Sequence, residues 1–257
     1  MNNTIYKIEA LTNMHVGSGD ANYGVIDNLI QRDVVTNLPT INGSSLKGAL
    51  KEFFENEWSK NDGKIKHIFG SNDNNAAYKF LSANLLAIPV RSNKKAYFLA
   101  TAPMIINKLK EDAGNFDFTI NLSAFDDLKP EKGKPIVFKN YGNNLIIEDF
   151  AKFQEANKNG NTSLGNFENI VYFNDEDFLE LTNDFNLPVI ARNKVGENKN
   201  LWYEQVVPAK SLFYFIVLHD GKHFNNFNDD VTGDKKTVHI GANATVGYGF
   251  TKISKLG

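Results

Sequence analysis

Residues 15–51 constrain this chain more than any other stretch, because backbone punctuation and polar groups alternate there at close spacing. Residues 4–14, with imperfect apolar alternation, predict a strand that runs into His15-Val16-Gly17-Ser18-Gly19. The glycines admit positive φ and close approach of backbone N–H groups to a ligand, although a plain turn explains them as well. Asn42-Gly43-Ser44-Ser45 then opens a helix: Leu46, Ala49, Leu50, Phe53 and Phe54 fall on one buried stripe. Ser44 is read as its N-cap. Lys47 stands in the first turn, where the macrodipole disfavours a cation. That placement suits a lysine helping free N–H groups hold an anion such as phosphate, and equally a solvated lysine on a flexible stem. The spacing of GSSLKG is not that of a nucleotide P-loop.

Between these two features lies a loop, residues 20–39. Asp27 sits in it between Val25-Ile26 and Leu29-Ile30. A carboxylate so framed is either a turn residue bonding nearby N–H groups or a functional acid, and composition alone favours the turn. Arg32 and Asp33 read as a surface ion pair.

The chain of 257 residues can bury a substantial core, and 42% hydrophobic with 23% charged residues is a globular composition. Phenylalanine is abundant at 20 copies, enough to leave some rings for stacking on bases or partners. A net charge of -2 excludes a free-standing, non-specific nucleic-acid binder, but not a subunit that shares one RNA with its neighbours. With no cysteine, disulfides, thiolate catalysis and Cys-ligated zinc are excluded. The N-terminus MNNTIYKIEAL lacks the pattern of a signal peptide and no apolar run reaches spanning length, so a cytoplasmic protein is expected.

The remaining chain reads as follows. Residues 61–79 are a polar loop interrupted at 65–70. Residues 85–91 and 95–101 form a strand hairpin with Pro89 at an edge or bulge. Pro103 starts a helix over 104–110. Short strands are expected at 136–139 and 145–147, a short helix at 148–156, and an exposed acidic helix start at Asp175-Glu176-Asp177. Residues 187–205 form a hairpin arm with a polar tip, 193–200, and no core of its own; such an arm needs a partner. Residues 211–219 are an apolar strand and 222–236 a polar, flexible connection. A glycine loop, Gly241 to Gly249, feeds a last strand at 250–253. There is no dinucleotide fingerprint.

Six motifs now carry a resemblance: HVGSG at 15–19, GVIDNLIQRD at 24–33, LPTINGSSLKGALK at 38–51, LLAIPVRS at 85–92, LWYEQVVP at 201–208 and IGANATVGYGF at 240–250. In this order, over nearly the whole chain, they resemble the RAMP superfamily of CRISPR effector proteins, and within it the backbone subunit of type III-B (Cmr) complexes. The resemblance implies an α+β fold: a single RAMP domain over 1–257 with a ferredoxin-like (RRM-type βαββαβ) core. A thumb β-hairpin is implied at about 188–205, and irregular insertions at about 112–187 and 221–237. It implies copies stacked along a guide crRNA beside other Cmr subunits, cleaving complementary target RNA at regular intervals in antiviral defence.

Asp27 matches the family's cleavage aspartate, which works with a divalent metal ion, Mg or Mn, while an RNA 2′-hydroxyl attacks the adjacent phosphate. His15 would assist proton transfer or position RNA, and Tyr203 and Glu204, at the arm base, would reach a neighbour's site. RNA contacts are implied for Gly17, Ser18, Gly19, Ser44, Ser45, Lys47, Lys51, Arg91, Arg192, Gly241, Asn243, Gly247, Tyr248 and Gly249. Ser82 and Asn84 depart from the family's usual Asp and Arg. The alternatives are a non-catalytic crRNA-binding scaffold of the same superfamily, including the type III-A equivalent, and a protein-interaction scaffold with no RNA role.

Overall fold

The computed structural model describes residues 1–19, 24–60, 62–156, 158, 160–194 and 200–256. Its main strands are β1 (Asn2–Ala10), β2 (Ala83–Val90), β3 (Phe98–Thr101), β4 (Ile170–Tyr172), β5 (Val189–Lys194), β6 (Asn200–Gln205), β7 (Leu212–His219) and β8 (Phe250–Lys255). Its helices are α1 (Gly43–Trp58), α2 (Gly63–Phe69), α3 (Pro103–Asn115), α4 (Asp175–Leu181) and α5 (Phe224–Val231).

Four strands stand side by side in the order β8, β1, β7, β2, each antiparallel to its neighbour. The chain passes from β1 to β2 through α1 and from β7 to β8 through α5, so each crossover skips one strand. Both helices cover the same face: Phe54 of α1 stacks on Phe227 of α5 at 4.9 Å, and Phe227 meets Tyr6 of β1 edge-on at 6.2 Å. All three rings are fully buried. Burial of each contributes roughly 1.5–3 kcal/mol, so this contact ties the two crossovers to the central strand. The expected stripe of α1 holds, with Leu46, Leu50 and Phe54 buried.

Beyond β2 the sheet continues through β3, antiparallel, and β4, parallel to β3. Pro89 pairs with Leu99, beyond the residues of β2 that pair with β7, so the missing N–H costs no bond on that side. Residues 112–187 bring a second aromatic core, where Phe125 packs on Tyr172 at 5.1 Å and Phe138 on Phe167 at 4.8 Å. These cores absorb most of the phenylalanine surplus; Phe185, 87% exposed, is an exception.

Several expectations need correction. Residues 222–236, and with them the irregular insertion at 221–237, contain α5: Phe227 and Val231 bury one side of a helix whose remaining side chains are largely polar. The polar loop at 61–79 contains α2, capped by the Asp62 carboxylate on the Lys64 N–H at 2.8 Å. No helix forms at 148–156, where Glu148 has positive φ and Gln154–Glu155 form a short strand. Residues 145–147 make only isolated bridges through Ile147. β1 ends at Ala10 rather than at 14. The N-cap of α1 is Asn42, not Ser44, and the Asn42 side chain makes no capping bond. Most of the polar tip of the arm, residues 195–199, lies outside the described residues. Among the described residues no helix is long and apolar enough to cross a membrane.

Candidate functional site

The loop after β1 folds back as a narrow ledge. Gly17 bridges Ile30, with Ser18 N donating to Leu29 O at 2.9 Å and Gln31 N to Val16 O at 2.8 Å. The other edge of the same short segment lies along β6 of the arm: Asn28 N donates to Tyr203 O at 3.1 Å, and Gln205 N to Asn28 O at 2.9 Å. Residues 28–30 are thus held between the first loop and the base of the arm. Asp27, exposed, sits at the outer end of this ledge, where its Oδ2 accepts the Tyr203 N–H at 2.8 Å. The sequence reading of a turn carboxylate was right about the bond type and wrong about the partner, which lies 176 positions away.

His15 is buried behind the ledge, 6% exposed, and its Nδ1–H donates to the Gln205 carbonyl at 2.7 Å. A carbonyl only accepts, so in the neutral ring the lone pair sits on Nε2. Nε2 faces Gly17, where a Cβ would approach to 3.0 Å; a glycine there keeps that side of the imidazole uncrowded.

Glu204 is buried and engaged by three donors: Arg192 Nε at 2.6 Å, Trp202 Nε1 at 2.9 Å and Asn243 Nδ2 at 3.0 Å. Burial pushes its pKa up, but the bonds from Trp202 and Arg192 and the charges of Arg192 and His15 outweigh it. The carboxyl is held below the ordinary glutamate range. The Arg192 guanidinium also lies over the Tyr248 ring at 4.3 Å. Glu204, Arg192, Asn243 and Tyr248 therefore form one lock between the arm and the glycine loop. Arg192 and Glu204 are spent on each other within this chain.

The glycine loop closes over the first loop. Ala242 N donates to His15 O at 2.9 Å, and a Cβ at Gly241 (φ +99°) would fall 2.3 Å from that oxygen. Gly249 (φ +74°) is equally tight against Ile240 O at 2.4 Å, whereas Gly247 (φ +83°) has open space around it. Gly241 and Gly249 are thus explained by packing.

The start of α1 joins the same face through Gln31, whose Nε2 donates to Gly17 O at 3.2 Å and Ser45 Oγ at 3.0 Å. Its Oε1 accepts Asn42 N at 2.8 Å. A cleft of about 310 Å³ lies there, lined in part by Gly17, Gln31, Ser45, His239 and Gly241. Ser44 is exposed, and no acidic residue occupies the first turn. Lys47, the fifth residue of the helix, makes no ion pair among the described residues, while Lys51 pairs with Glu55 at 3.8 Å. A helix start left open by its own N-cap side chain, with a nearby lysine that makes no ion pair among the described residues, is suited to an anion. Gly43 N donates to Ser82 Oγ at 3.1 Å, giving the departure at Ser82 a role in seating α1.

Ser18 and Gly19 are exposed at the rim of the first loop. Arg91 does not join them. It is engaged by Glu148 through Nη2 at 2.6 Å and Nε at 3.0 Å, at a separate cleft of about 630 Å³ that shares no lining residue with the first. Sequence reasoning missed Gln31 and Gln205, whose amides organise the ledge; their position inside GVIDNLIQRD and LWYEQVVP was the available signal.

A divalent ion would need several oxygen ligands. Glu204 is consumed by its three donors, and among the described residues no group of three or more His, Cys, Asp or Glu can hold a metal. The donor set of this chain does not by itself build a metal centre.

Among known proteins, the profile of the RAMP superfamily matches residues 7–252. The chain is 29% identical to the Cmr endoribonuclease Cmr4 of the CRISPR system of Pyrococcus furiosus, over 95% of this chain and 92% of that protein. It is 27% identical to the CMR subunit Cmr4 of Saccharolobus solfataricus, over 96% and 94%. In structure it is similar to oligomeric Cmr4 from Pyrococcus furiosus, with a TM-score of 0.75, 25% identity and 100% of both chains covered. A chain of a type III-B Cmr-beta assembly in its apo state superposes with a TM-score of 0.82 at 24% identity, over 99% and 97%. A RAMP profile matched from residue 7 to residue 252 establishes that the chain belongs to the RAMP superfamily.

Proposed function

We propose that this chain is the backbone subunit of a type III-B (Cmr) CRISPR ribonucleoprotein, one that binds guide crRNA and cleaves complementary target RNA. The four-strand order β8, β1, β7, β2 with two skipping helices supports reading the core as ferredoxin-like. The arm formed by β5 and β6 is read as the thumb hairpin. Copies of the chain, beside other Cmr subunits, line one RNA, which fits a net charge of -2.

One observation carries the catalytic reading: Asp27 is exposed at the arm base, held by the Tyr203 N–H, on a ledge whose other side holds His15. The reaction is an internal transfer. The 2′-oxygen forms a bond to the adjacent phosphorus, the 5′-oxygen leaves, and the 2′-proton is removed as the leaving oxygen gains one. His15 Nε2 accepts or returns a proton, with its tautomer set by the Gln205 carbonyl. Asp27 orients the attacking hydroxyl. An ion such as Mg or Mn, when bound, would supply charge neutralisation at the phosphate, with ligands from RNA and water beside Asp27. The start of α1 with Ser44, Ser45 and Lys47 binds guide phosphates. Cleavage of a guide-complementary RNA by the assembled complex, compared between the natural chain and Asp27→Ala, tests the reading.

A further inference from the structure

We infer that Gln205 is a positioning residue for RNA cleavage, setting Asp27 and His15 together from a fully buried place behind both. The inference rests on the catalytic reading of those two residues. Gln205 is 0% exposed and acts only through its neighbours. Its carbonyl holds His15 Nδ1 at 2.7 Å. Its N–H, donating to Asn28 O at 2.9 Å, holds the residue next to Asp27. Its side chain locks the same ledge from the other direction: Oε1 accepts Ile30 N at 3.3 Å, and Nε2 donates to Asp184 O at 3.1 Å and Oδ1 at 3.2 Å.

Asp184 is fixed in turn. Its Oδ1 accepts Arg32 Nε at 2.7 Å, while Arg32 Nη1 donates to Asn37 O at 2.6 Å. An amide is required at position 205 because the site needs an acceptor toward Ile30 and a donor toward Asp184. A carboxylate would serve Ile30 but face both the carbonyl and the carboxylate of Asp184 at hydrogen-bond distance, its own side buried and only the Asp184 side reached by solvent. In this scheme Arg32 is the outer anchor rather than half of a surface pair with Asp33. A shift of the main chain at Gln205, whose N–H and carbonyl lie in two successive peptide units, would displace both reacting groups at once, and a displacement near 1 Å costs on the order of a hundredfold in rate.

The test uses the guide-loaded complex and a compensating swap. Gln205→Glu alone is expected to slow single-turnover target cleavage by about tenfold to a hundredfold, with guide affinity within about twofold. Gln205→Glu combined with Asp184→Asn reverses the donor and acceptor. The introduced carboxylate takes the Ile30 N–H and the introduced amide but still faces the Asp184 carbonyl, so cleavage is expected to recover by about threefold or more over the single variant without reaching the natural rate. Full-rate cleavage by the single variant, or no recovery in the double variant, would overturn the role.

If the single variant does not assemble, Asp184→Ala decides. That side chain is 37% exposed, but its loss also leaves the Arg32 guanidinium, 11% exposed, without its anion. Asp184→Asn, which keeps an oxygen for both donors, is therefore run beside it and is expected to cleave faster than Asp184→Ala. A slowing of about fivefold supports the inference, and an unchanged rate contradicts it. Asp27→Ala, run in parallel, separates the failures. Unchanged cleavage in Asp27→Ala removes the catalytic reading itself, whereas loss there with full activity in the position-205 and position-184 variants removes only the positioning role.

Discussion

The carboxylate of Asp27 accepts the backbone N–H of Tyr203 at 2.8 Å, joining the loop after the first strand to the base of the arm. The bond reaches the main chain, so the side chain at 203 is free to vary without moving Asp27. Tyr203→Phe is therefore predicted to leave target cleavage within about twofold of natural, while Asp27→Ala does not. Matched single-turnover rates of the two variants check this.

Glu204 is the acceptor for Arg192, Trp202 and Asn243, and replacing it leaves a largely buried guanidinium, 16% exposed, without its partner. Glu204→Ala is predicted to destabilise the chain by about 3 kcal/mol, measured by denaturant unfolding. The natural carboxyl is held below the ordinary glutamate value, so its contribution is present above about pH 4.3 and is lost as pH falls through the folded-state value. Unfolding midpoints followed from pH 6 to about pH 3 should therefore drop more steeply in the natural chain than in Glu204→Gln.

Two glycines of one loop should respond differently. Gly241→Ala forces a Cβ to 2.3 Å from the His15 carbonyl, whereas Gly247→Ala meets no atom within 4 Å. Both have positive φ, so Gly247→Ala is predicted to cost about 1 kcal/mol and Gly241→Ala clearly more, about 3 kcal/mol or above. Guide binding should weaken only in Gly241→Ala, as read by unfolding and by RNA titration of the same samples.

Lys47 makes no ion pair among the described residues and stands near a helix start that its N-cap side chain leaves open. Lys47→Ala is predicted to weaken guide binding uniformly across sequences and to reduce the slope of log affinity against log salt by about 0.7. Lys51→Ala, which removes a lysine already paired with Glu55, should change that slope less. A titration series at several salt concentrations distinguishes them.

How much of this was legible in the sequence differs by feature. The stripe of α1 and the strand at β7 were plain from periodicity. Helix α5 was hidden because Asn225, Asn226, Asn228, Asp229 and Asp230 make its exposed side read as a loop, although Phe227 and Val231 keep the helical spacing. The site split in the same way. Motif order singled out Asp27, His15 and the glycine loop. What holds them comes from contacts across long sequence separations, such as Gln205 with His15 and Glu204 with Asn243, which no local pattern encodes. Arg192 illustrates the limit: a basic residue on an arm reads as an RNA contact, yet its guanidinium is committed to Glu204 and Tyr248. Arg91 pairs with Glu148 as well, but its side chain is 88% exposed and stays open to a partner.

The most direct measurement is cleavage of a radiolabelled, guide-complementary RNA by the complex assembled with Asp27→Ala, beside the natural complex at equal guide occupancy. The account predicts that guide and target remain bound while cleavage falls by about a thousandfold, with no regularly spaced products. Regularly spaced products at the natural rate would contradict it, and would leave the ledge as a guide-binding scaffold with no part in cutting.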